Sequence, residues 1–459
     1  MGSPQQSKKQ KALPPGKELE VYAIPLELDP NIQQRKLLSA AMGARRFAWN
    51  WALGLINHQQ VPINAFALTN HYNKVKPVEI PWWNQVSKHC FESAFADLAQ
   101  GFSNWFKRPD HFGRPDFHAK GKCEENCRLR QGVSVSGRKV KVPTIGKVRY
   151  KDERFALPQG EKVLAISLKK VAGHYYATLR MERMVDIKPL PHPDQVIYKG
   201  ADSGIKSALV VYDGEKTEFI KAPRPLKWAQ RKLKRAQRAV SRKVKGSKNR
   251  DKAKAKVARI SHLIGRQRRS FQHCTSKQEV LPVGGKPVIM GVEDCAWKNL
   301  MANHKLAQAL ADVGISGTIT LMGYKASKFG GLMIKIGRFF PSTKTCSGCG
   351  HVKPKMELSE RTYHCDECGL TLDRDDNAAR NIRAEAMRIY RELYFSRPDG
   401  VPPGRREAAR VLTKDCGEPK QSAMAASASR CGRNGVLRSS KSRKDELMIS
   451  RIPDATLIS

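Results

Sequence analysis

Apolar and polar residues alternate from Leu19 to Leu28, in the order Leu-Glu-Val-Tyr-Ala-Ile-Pro-Leu-Glu-Leu, and a period of two predicts a strand. The period changes after Asn31. Leu37, Leu38, Met42, Phe47, Trp51 and Leu55 recur at three- and four-residue intervals, and the chain reads as helical up to Phe106. Residues 113–137 are rich in Gly, Pro, Lys and Arg and predict a loop. Alternation returns in four short runs, Lys139 to Val142, Lys147 to Tyr150, Val163 to Leu168 and Tyr175 to Met181, each read as a strand. The first strand needs pairing partners and these are the nearest, so the pattern predicts a small β-barrel split by a helical insertion. Pro189-Leu190-Pro191-His192-Pro193 marks a linker.

Beyond the linker, acids interrupt the apolar pattern. Val196 to Lys206 reads as a strand with Asp202 inside it, followed by a second strand and turn from Ala208 to Gly214. Pro287 to Val292 is an apolar strand that stops at Glu293-Asp294. Ala378, Ala379, Ile382, Ala386, Ile389 and Leu393 give a helix one apolar face, and Asp375 stands at its start. A carboxylate in an apolar strand is costly unless it meets a cation or a solvated cleft. For Asp202 alone, capping a turn at the strand end is the simpler alternative. Asp202, Glu293 and Asp375 together are harder to explain as structure, because carboxylates brought close repel and raise one another's pKa. Divalent cations would neutralise them, and a few oxygen ligands completed by substrate phosphates suit Mg²⁺ or Mn²⁺. Two such ions roughly 3.5 to 4 Å apart would activate water and stabilise the leaving 3′ oxygen of a phosphodiester. Asp373 and Asp376 are the alternative ligands, although Asp373 could instead cap the helix.

Charge strengthens this direction. The 459 residues hold 84 Lys plus Arg against 42 Asp plus Glu, a net charge of +42 that points to a polyanionic partner. From Lys227 to Lys256, 14 of 30 residues are basic and only Asp251 opposes them. Leu226, Ala229, Leu233, Ala236 and Val240 keep a helical stripe, Lys245-Gly246-Ser247-Lys248-Asn249 turns the chain, and Val257, Ile260, Ile264 and Phe271 resume it. Basic helices are commonly just solvated faces, but this density of one sign repels itself without phosphates nearby. Lys232, Arg235, Arg242, Lys245 and Lys248 are candidate nucleic-acid contacts. No apolar run approaches the roughly 18 to 20 residues of a membrane-spanning helix. The polar, basic start lacks the apolar core of a signal peptide.

Eleven cysteines, an odd number, fit a reducing cytoplasm better than a disulfide framework. Cys346-x-x-Cys349 and Cys365-x-x-Cys368 are separated by 15 residues, a spacing for structural Zn²⁺, with Gly348, Gly350 and Gly369 supplying the knuckle turns. A closed Cys₄ site has no open position, so this metal should fold the insertion rather than catalyse. Cys123 and Cys127, with His111 and His118 upstream, form a weaker candidate for a second zinc site.

Several of these segments carry a resemblance. Gly200-x-Asp202-x-Gly204-Ile205-Lys206, the hairpin turn Lys245-Gly246-Ser247-Lys248, Val292-Glu293-Asp294, Phe340-Pro341-Ser342-x-Lys344-Thr345-Cys346-x-x-Cys349-Gly350 and Asp373-Arg-Asp375-x-Asn377-Ala378-Ala379-x-Asn381-Ile382 together resemble the TnpB family, as does the early helix Gly43-Ala-Arg45-Arg46-Phe47-x-Trp49-Asn50-Trp51-Ala52-Leu53. These transposon-encoded, RNA-guided DNA endonucleases are related to miniature type V CRISPR effectors. The resemblance, reaching Tyr394, implies an α/β plus β protein. A RuvC-type nuclease of RNase H fold with an inserted Cys₄ zinc ribbon would be preceded by a wedge β-barrel interrupted by a helical recognition lobe. The polar, basic residues 1–17 read as a disordered lead, and the resemblance sets the barrel at 18–30 and 131–190 and the lobe at 31–130. The nuclease would cover 195–340 with its hairpin at 226–271, the zinc ribbon 341–370 and the last nuclease helix 371–395; beyond the resemblance, residues 396–459 are rich in Pro, Gly, Ser, Lys and Arg and read as a disordered tail. Carried over by position, the triad falls on Asp202, Glu293 and Asp375 and the zinc ligands on the four cysteines. The resemblance implies partners: a guide RNA and a double-stranded target DNA beside a short transposon-adjacent motif, with one nuclease site cutting both strands. Arg45, Arg46, Asn50 and Trp51 are candidates for the flanking duplex, although Phe47 and Trp51 could equally be core. The chain departs from the family pattern at Ala311 to Gly317 and at Asp294-Cys295-Ala296, neither of which supplies an expected ligand. A CRISPR effector of the same chemistry and a non-cleaving guided repressor are the competing readings. A His-x-His transposase is excluded, because none of the 12 histidines stands two positions from another. Oligomeric state is not specified.

Overall fold

The computed structural model describes residues 14, 16–151, 157–158, 161–187, 189–357 and 359–395, so the tail and nearly all of the expected basic lead lie outside the described residues. The alternating start becomes β1 (Lys17–Asp29), paired antiparallel along nearly its whole length with a later strand. The helical stretch divides into α1 (Ile32–Asn57), α2 (Ala65–Glu79) and α3 (His89–Lys107). Asn31 caps α1 by accepting from the Gln34 backbone, and Gln34 returns the bond, so two otherwise unpaired amides are satisfied. Five short or long strands follow: β2 (Glu125–Leu129), β3 (Ser134–Ser136), β4 (Lys139–Val142), β5 (Gly146–Tyr150) and β6 (Lys162–Val171), then β7 (His174–Asp186).

These strands form one seven-stranded sheet in the order β2-β6-β7-β1-β5-β4-β3. Two expectations change here. Residues 113–137 are not all loop, because Cys127 and Leu129 alternate with polar neighbours and are buried where β2 adds to β6. The sheet therefore begins before residue 131, inside the span assigned to the helical lobe. The sheet order also has two ends, and among the described residues no pairing joins β2 to β3. The inward residues of β1 (Ile24, Leu26, Leu28) share a core with Leu38, Leu53, Phe91 and Phe95 of the helices.

The second half builds β8 (Ile197–Asp202), β9 (Leu209–Tyr212), β10 (Thr217–Ile220), α4 (Pro225–Ser241), α5 (Lys248–Gln278) and β11 (Val288–Glu293). It continues through α6 (Trp297–Ala302), α7 (His304–Val313), α8 (Ile315–Lys328), β12 (Leu332–Ile336), β13 (Thr362–His364), β14 (Thr371–Asp373) and α9 (Arg374–Phe395). Five strands lie in the order β10-β9-β8-β11-β12, antiparallel from β10 to β8 and parallel from β8 to β12. The central parallel strand, β11, is a continuous apolar run buried from Val288 to Val292, as a strand covered on both faces should be.

Helix α9 crosses this sheet at two glycines that face each other in register, Gly200 of β8 and Gly291 of β11. A Cβ on Gly200 would run into the Ala379 carbonyl, and one on Gly291 would lie 2.7 Å from the Ala386 Cβ. The missing side chains let the helix backbone sit directly on the strands. The basic hairpin of α4 and α5 is held at its base by Asp312, which accepts from the Leu226 and Lys227 backbone amides at 2.9 and 3.0 Å and pairs with Arg268 at 3.3 Å. This carboxylate caps α4 and gives the unusual Ala311 to Gly317 segment a structural job. Higher on α5, His262 shares a 2.8 Å hydrogen bond with Tyr176 of β7, joining the hairpin to the first sheet. No described helix is long and apolar enough to cross a membrane.

Candidate functional site

Parallel pairing decides where the acids fall. Val292 is level with Ala201 in the β11 and β8 register, so the next residues, Glu293 and Asp202, lie side by side at the carboxyl ends of neighbouring strands. Helix α9 brings Asp375 to the same end in its first turn, where the helix dipole favours a negative charge. Glu293 and Asp375 both act on Asp202. Burial pushes the Asp202 carboxyl up to about 7, with the charges of Glu293 and then Asp375 adding to the shift.

Two of the acids are held by neighbouring side chains. Ser342 donates its hydroxyl to Glu293 Oε1, and the Cys295 thiol lies 3.8 Å from Oε2. Arg374 reaches Asp375 Oδ1 at 3.3 Å and also donates to the Glu360 carbonyl at 3.0 Å. Burial and the Glu293 charge push the Cys295 thiol up to about 11, so it stands neutral beside the carboxylates. The two alternative acids have other work. Asp373 accepts from the Asp375 amide at 2.9 Å as a helix cap, and Asp376 is buried in bonds from Thr217 and, at 3.0 Å, Arg380. Asp294 pairs with Arg338 at 3.0 Å and Lys335 at 3.5 Å.

The four cysteines Cys346, Cys349, Cys365 and Cys368 place their sulfurs within 4.8 Å of one another, with 3.6 Å between Cys346 and Cys368 and between Cys349 and Cys365. Tetrahedral thiolates about 2.3 Å from Zn²⁺ would stand roughly 3.8 Å apart, so the donor set fits that metal. Among the described residues, no other group of three or more Cys, His, Asp or Glu ligand atoms is gathered so tightly. Cys127 is not paired with Cys123; its sulfur lies 3.2 Å from that of Cys90, which removes a ligand from the second zinc site considered from the sequence.

The ribbon is fastened to the acid-bearing helix. Asn377 accepts from the Ser347 amide at 3.0 Å and donates to the Thr345 carbonyl at 2.7 Å, and Asn381, one turn on, donates to the Ser342 carbonyl at 2.7 Å. Both asparagines are buried. Ser342, Asn377 and Asn381 were within recognised segments, but their roles depend on contacts across 30 to 49 residues that spacing does not reveal.

The candidate nucleic-acid residues divide. Lys232, Arg235, Arg242, Lys245 and Lys248 are all exposed on the hairpin. Arg45 pairs with Asp97 at 2.8 Å, Asn50 exchanges hydrogen bonds of 2.7 and 3.0 Å with the His118 backbone, and Trp51 packs against Tyr72 and Phe95. These contacts turn Arg45, Asn50 and Trp51 toward α2, α3 and the segment after α3, and all three are half-buried, as is Arg46.

Three family models match the chain: "Helix-turn-helix domain" at residues 23–59, "Probable transposase" at 178–281 and "Cas12f1-like, TNB domain" at 317–382. A "Putative RNA-guided DNA endonuclease" of Streptomyces pristinaespiralis is 30% identical over 354 residues, covering 77% of this chain and 83% of that protein. "Putative RNA-guided DNA endonuclease InsQ" of Escherichia coli K12 is 26% identical, covering 79% and 92%. "TnpB-like protein L79" of Acanthamoeba polyphaga mimivirus is 41% identical over 64 residues, 14% of this chain and 11% of that protein. Among solved structures, a Cas12f1-sgRNA-target DNA complex aligns loosely, with a TM-score of 0.30 and 15% identity over 79% of this chain and 99% of that one.

Proposed function

The chain belongs to the TnpB family, and from that premise we propose that it is an RNA-guided DNA endonuclease whose single RuvC-type site holds divalent metal on Asp202, Glu293 and Asp375. The observation that carries the reading is the meeting of these three carboxylates at one end of a mixed five-stranded sheet, where Asp202 is driven up to about 7 by burial and by its two acidic neighbours. Such a cluster gains most from a cation, and its hard oxygen donors suit Mg²⁺ or Mn²⁺. When bound, the metal supplies an activated water and stabilises the departing 3′ oxygen.

The chain's own residues do the rest. Ser342 fixes the orientation of Glu293, while Arg374 and the first turn of α9 orient Asp375. The Cys₄ ribbon is read as a zinc-folded clamp that holds the loop carrying Ser342 against α9. The exposed hairpin cations grip phosphates of a guide RNA or its heteroduplex with DNA. Base pairing then supplies sequence specificity, the protein reads a short transposon-adjacent motif, and the one site cuts the two strands in turn. We read the seven-stranded sheet as the wedge and α1 to α3 as the recognition lobe.

The test is to copurify the protein with its cellular RNA, sequence that RNA, and follow Mg²⁺-dependent cleavage of a matching plasmid. Wild type should cut and Asp202→Ala should not. Equal cutting by both would reject the carboxylate assignment, and failure to recover any discrete RNA would reject the guided reading.

A further inference from the structure

Phe339 has 94% of its surface exposed, the largest exposure among the described large hydrophobic residues. It is not on a loose tip. Phe340 closes a turn by donating its amide to the Gly337 carbonyl at 3.0 Å. Just before Phe339, Arg338 is tied to Asp294 through the carboxylate at 3.0 Å and the backbone carbonyl at 3.2 Å. Just after it, Ser342 is bonded to Glu293. Strand β12, which leads into the turn, ends at Ile336, level with Glu293 in the β11 register.

A turn anchored to Glu293 on one side and to its neighbour Asp294 on the other therefore presents an aromatic ring to water at the carboxyl ends of the acid-bearing strands. Full exposure of a phenyl ring is unfavourable, and the anchoring prevents the turn from folding it away. A flat partner that arrives with the substrate would cover it. Nucleobases have such a face, stack on aromatic side chains irrespective of sequence, and do so when a strand is single. The half-exposed guanidinium of Arg338 next to the ring adds a positive charge near the phosphates of that strand.

We propose that Phe339 is a substrate-positioning residue: its ring stacks on one base of the single DNA strand entering the carboxylate site and so fixes which phosphate lies over Asp202, Glu293 and Asp375. The inference rests on the endonuclease reading for its substrate, and the experiment separates the two.

The guide-loaded protein is compared as wild type, Phe339→Ala and Phe339→Trp. The first measurement is binding, in Ca²⁺, of a single-stranded oligonucleotide carrying 2-aminopurine; stacking quenches its fluorescence. Wild type and Phe339→Trp should quench, and Phe339→Ala should not, with affinity weakened between about fivefold and about a hundredfold. The second measurement maps cut positions on target DNA in Mg²⁺. Phe339→Ala should spread cutting over neighbouring phosphates, and Phe339→Trp should restore the wild-type position. Equal quenching by wild type and Phe339→Ala overturns the proposal, as does an unchanged cut position. Quenching that depends on Phe339 in a protein that cuts no DNA would instead overturn the nuclease reading and leave the stacking in place. Because the ring touches solvent on nearly all sides, unchanged thermal melting is expected for Phe339→Ala.

Discussion

Asp202 shows how a residue proposed to hold the catalytic metal can be unfavourable for stability. Its carboxyl is raised from 3.8 to about 7, so losing the proton costs more in the folded chain than in the unfolded one. The sign follows: without metal, the folded state carries no penalty below pH 4, loses stability as the pH rises toward 7, and bears the full cost above it. Asp202→Asn removes that cost. The metal-free variant should be more stable than wild type by about 2 to 4 kcal/mol at pH 8 and equal to it near pH 4, measured by denaturant unfolding with chelator present. Mg²⁺ should stabilise wild type and leave Asp202→Asn unmoved, while cleavage is lost in the variant. Ser342 makes the opposite case. Removing its hydroxyl deletes a hydrogen bond to Glu293 without touching the acid, so Ser342→Ala should lower Mg²⁺ affinity or cleavage rate about 10- to 100-fold. Asp202 and Glu293 could be picked out of the sequence because a charge within or ending an apolar strand is locally anomalous. Ser342 could not, because a serine before a zinc knuckle looks like any loop residue until the fold brings it to Glu293 across 49 positions.

At the scale of elements, α9 carries Asp375 to the proposed site, and two features hold the helix. One is the glycine seat. A side chain at Gly200 would meet helix backbone at Ala379 and Arg383, which has no rotamer to yield, whereas one at Gly291 would meet the Ala386 methyl group and the Ile382 backbone. Gly200→Ala should therefore cost at least about 3 kcal/mol, or prevent accumulation of folded protein, as seen by denaturant midpoint. The other is the ribbon, whose Thr345 and Ser347 backbone bonds Asn377. Stripping zinc with a strong chelator, or making Cys365→Ser, should abolish cleavage although none of the four ribbon cysteines lies among the acids; excess Mg²⁺ should not restore it and Zn²⁺ should restore the chelated protein. The elements themselves were largely legible. The period-two start, the amphipathic hairpin and the α9 face all appear where the pattern predicts them. Strand β2 was hidden because it is short and lies in a Gly- and Lys-rich stretch, and its identity comes from pairing with β6 some forty residues on. The glycine seat was hidden for a related reason: Gly200 and Gly291 matter only because the parallel register sets them side by side.

For the whole molecule, the deciding quantity is charge. A net +42 was evident from composition, but composition does not say whether the cations bind phosphate or merely face water. The fold narrows this, since Lys232, Arg235, Arg242, Lys245 and Lys248 are all exposed on one hairpin whose base is fixed by Asp312 and whose side is fixed by Tyr176. A cation that neutralises a phosphate releases condensed counterions, so each contact steepens the fall of affinity with salt, whereas a solvated cation does not. Replacing all five by glutamine should flatten the slope of log affinity for guide RNA against log salt by roughly 3.5, taking about 0.7 per single-strand contact. The same variant should melt no lower than wild type when free of RNA, because it loses only like charges that repel one another. A filter-binding series across salt concentrations checks both halves when paired with a melting curve. An unchanged slope would make the hairpin a solvated face and move the polyanion to another surface. A flattened slope with unchanged melting would identify the hairpin as the place where phosphate, rather than protein, balances the charge.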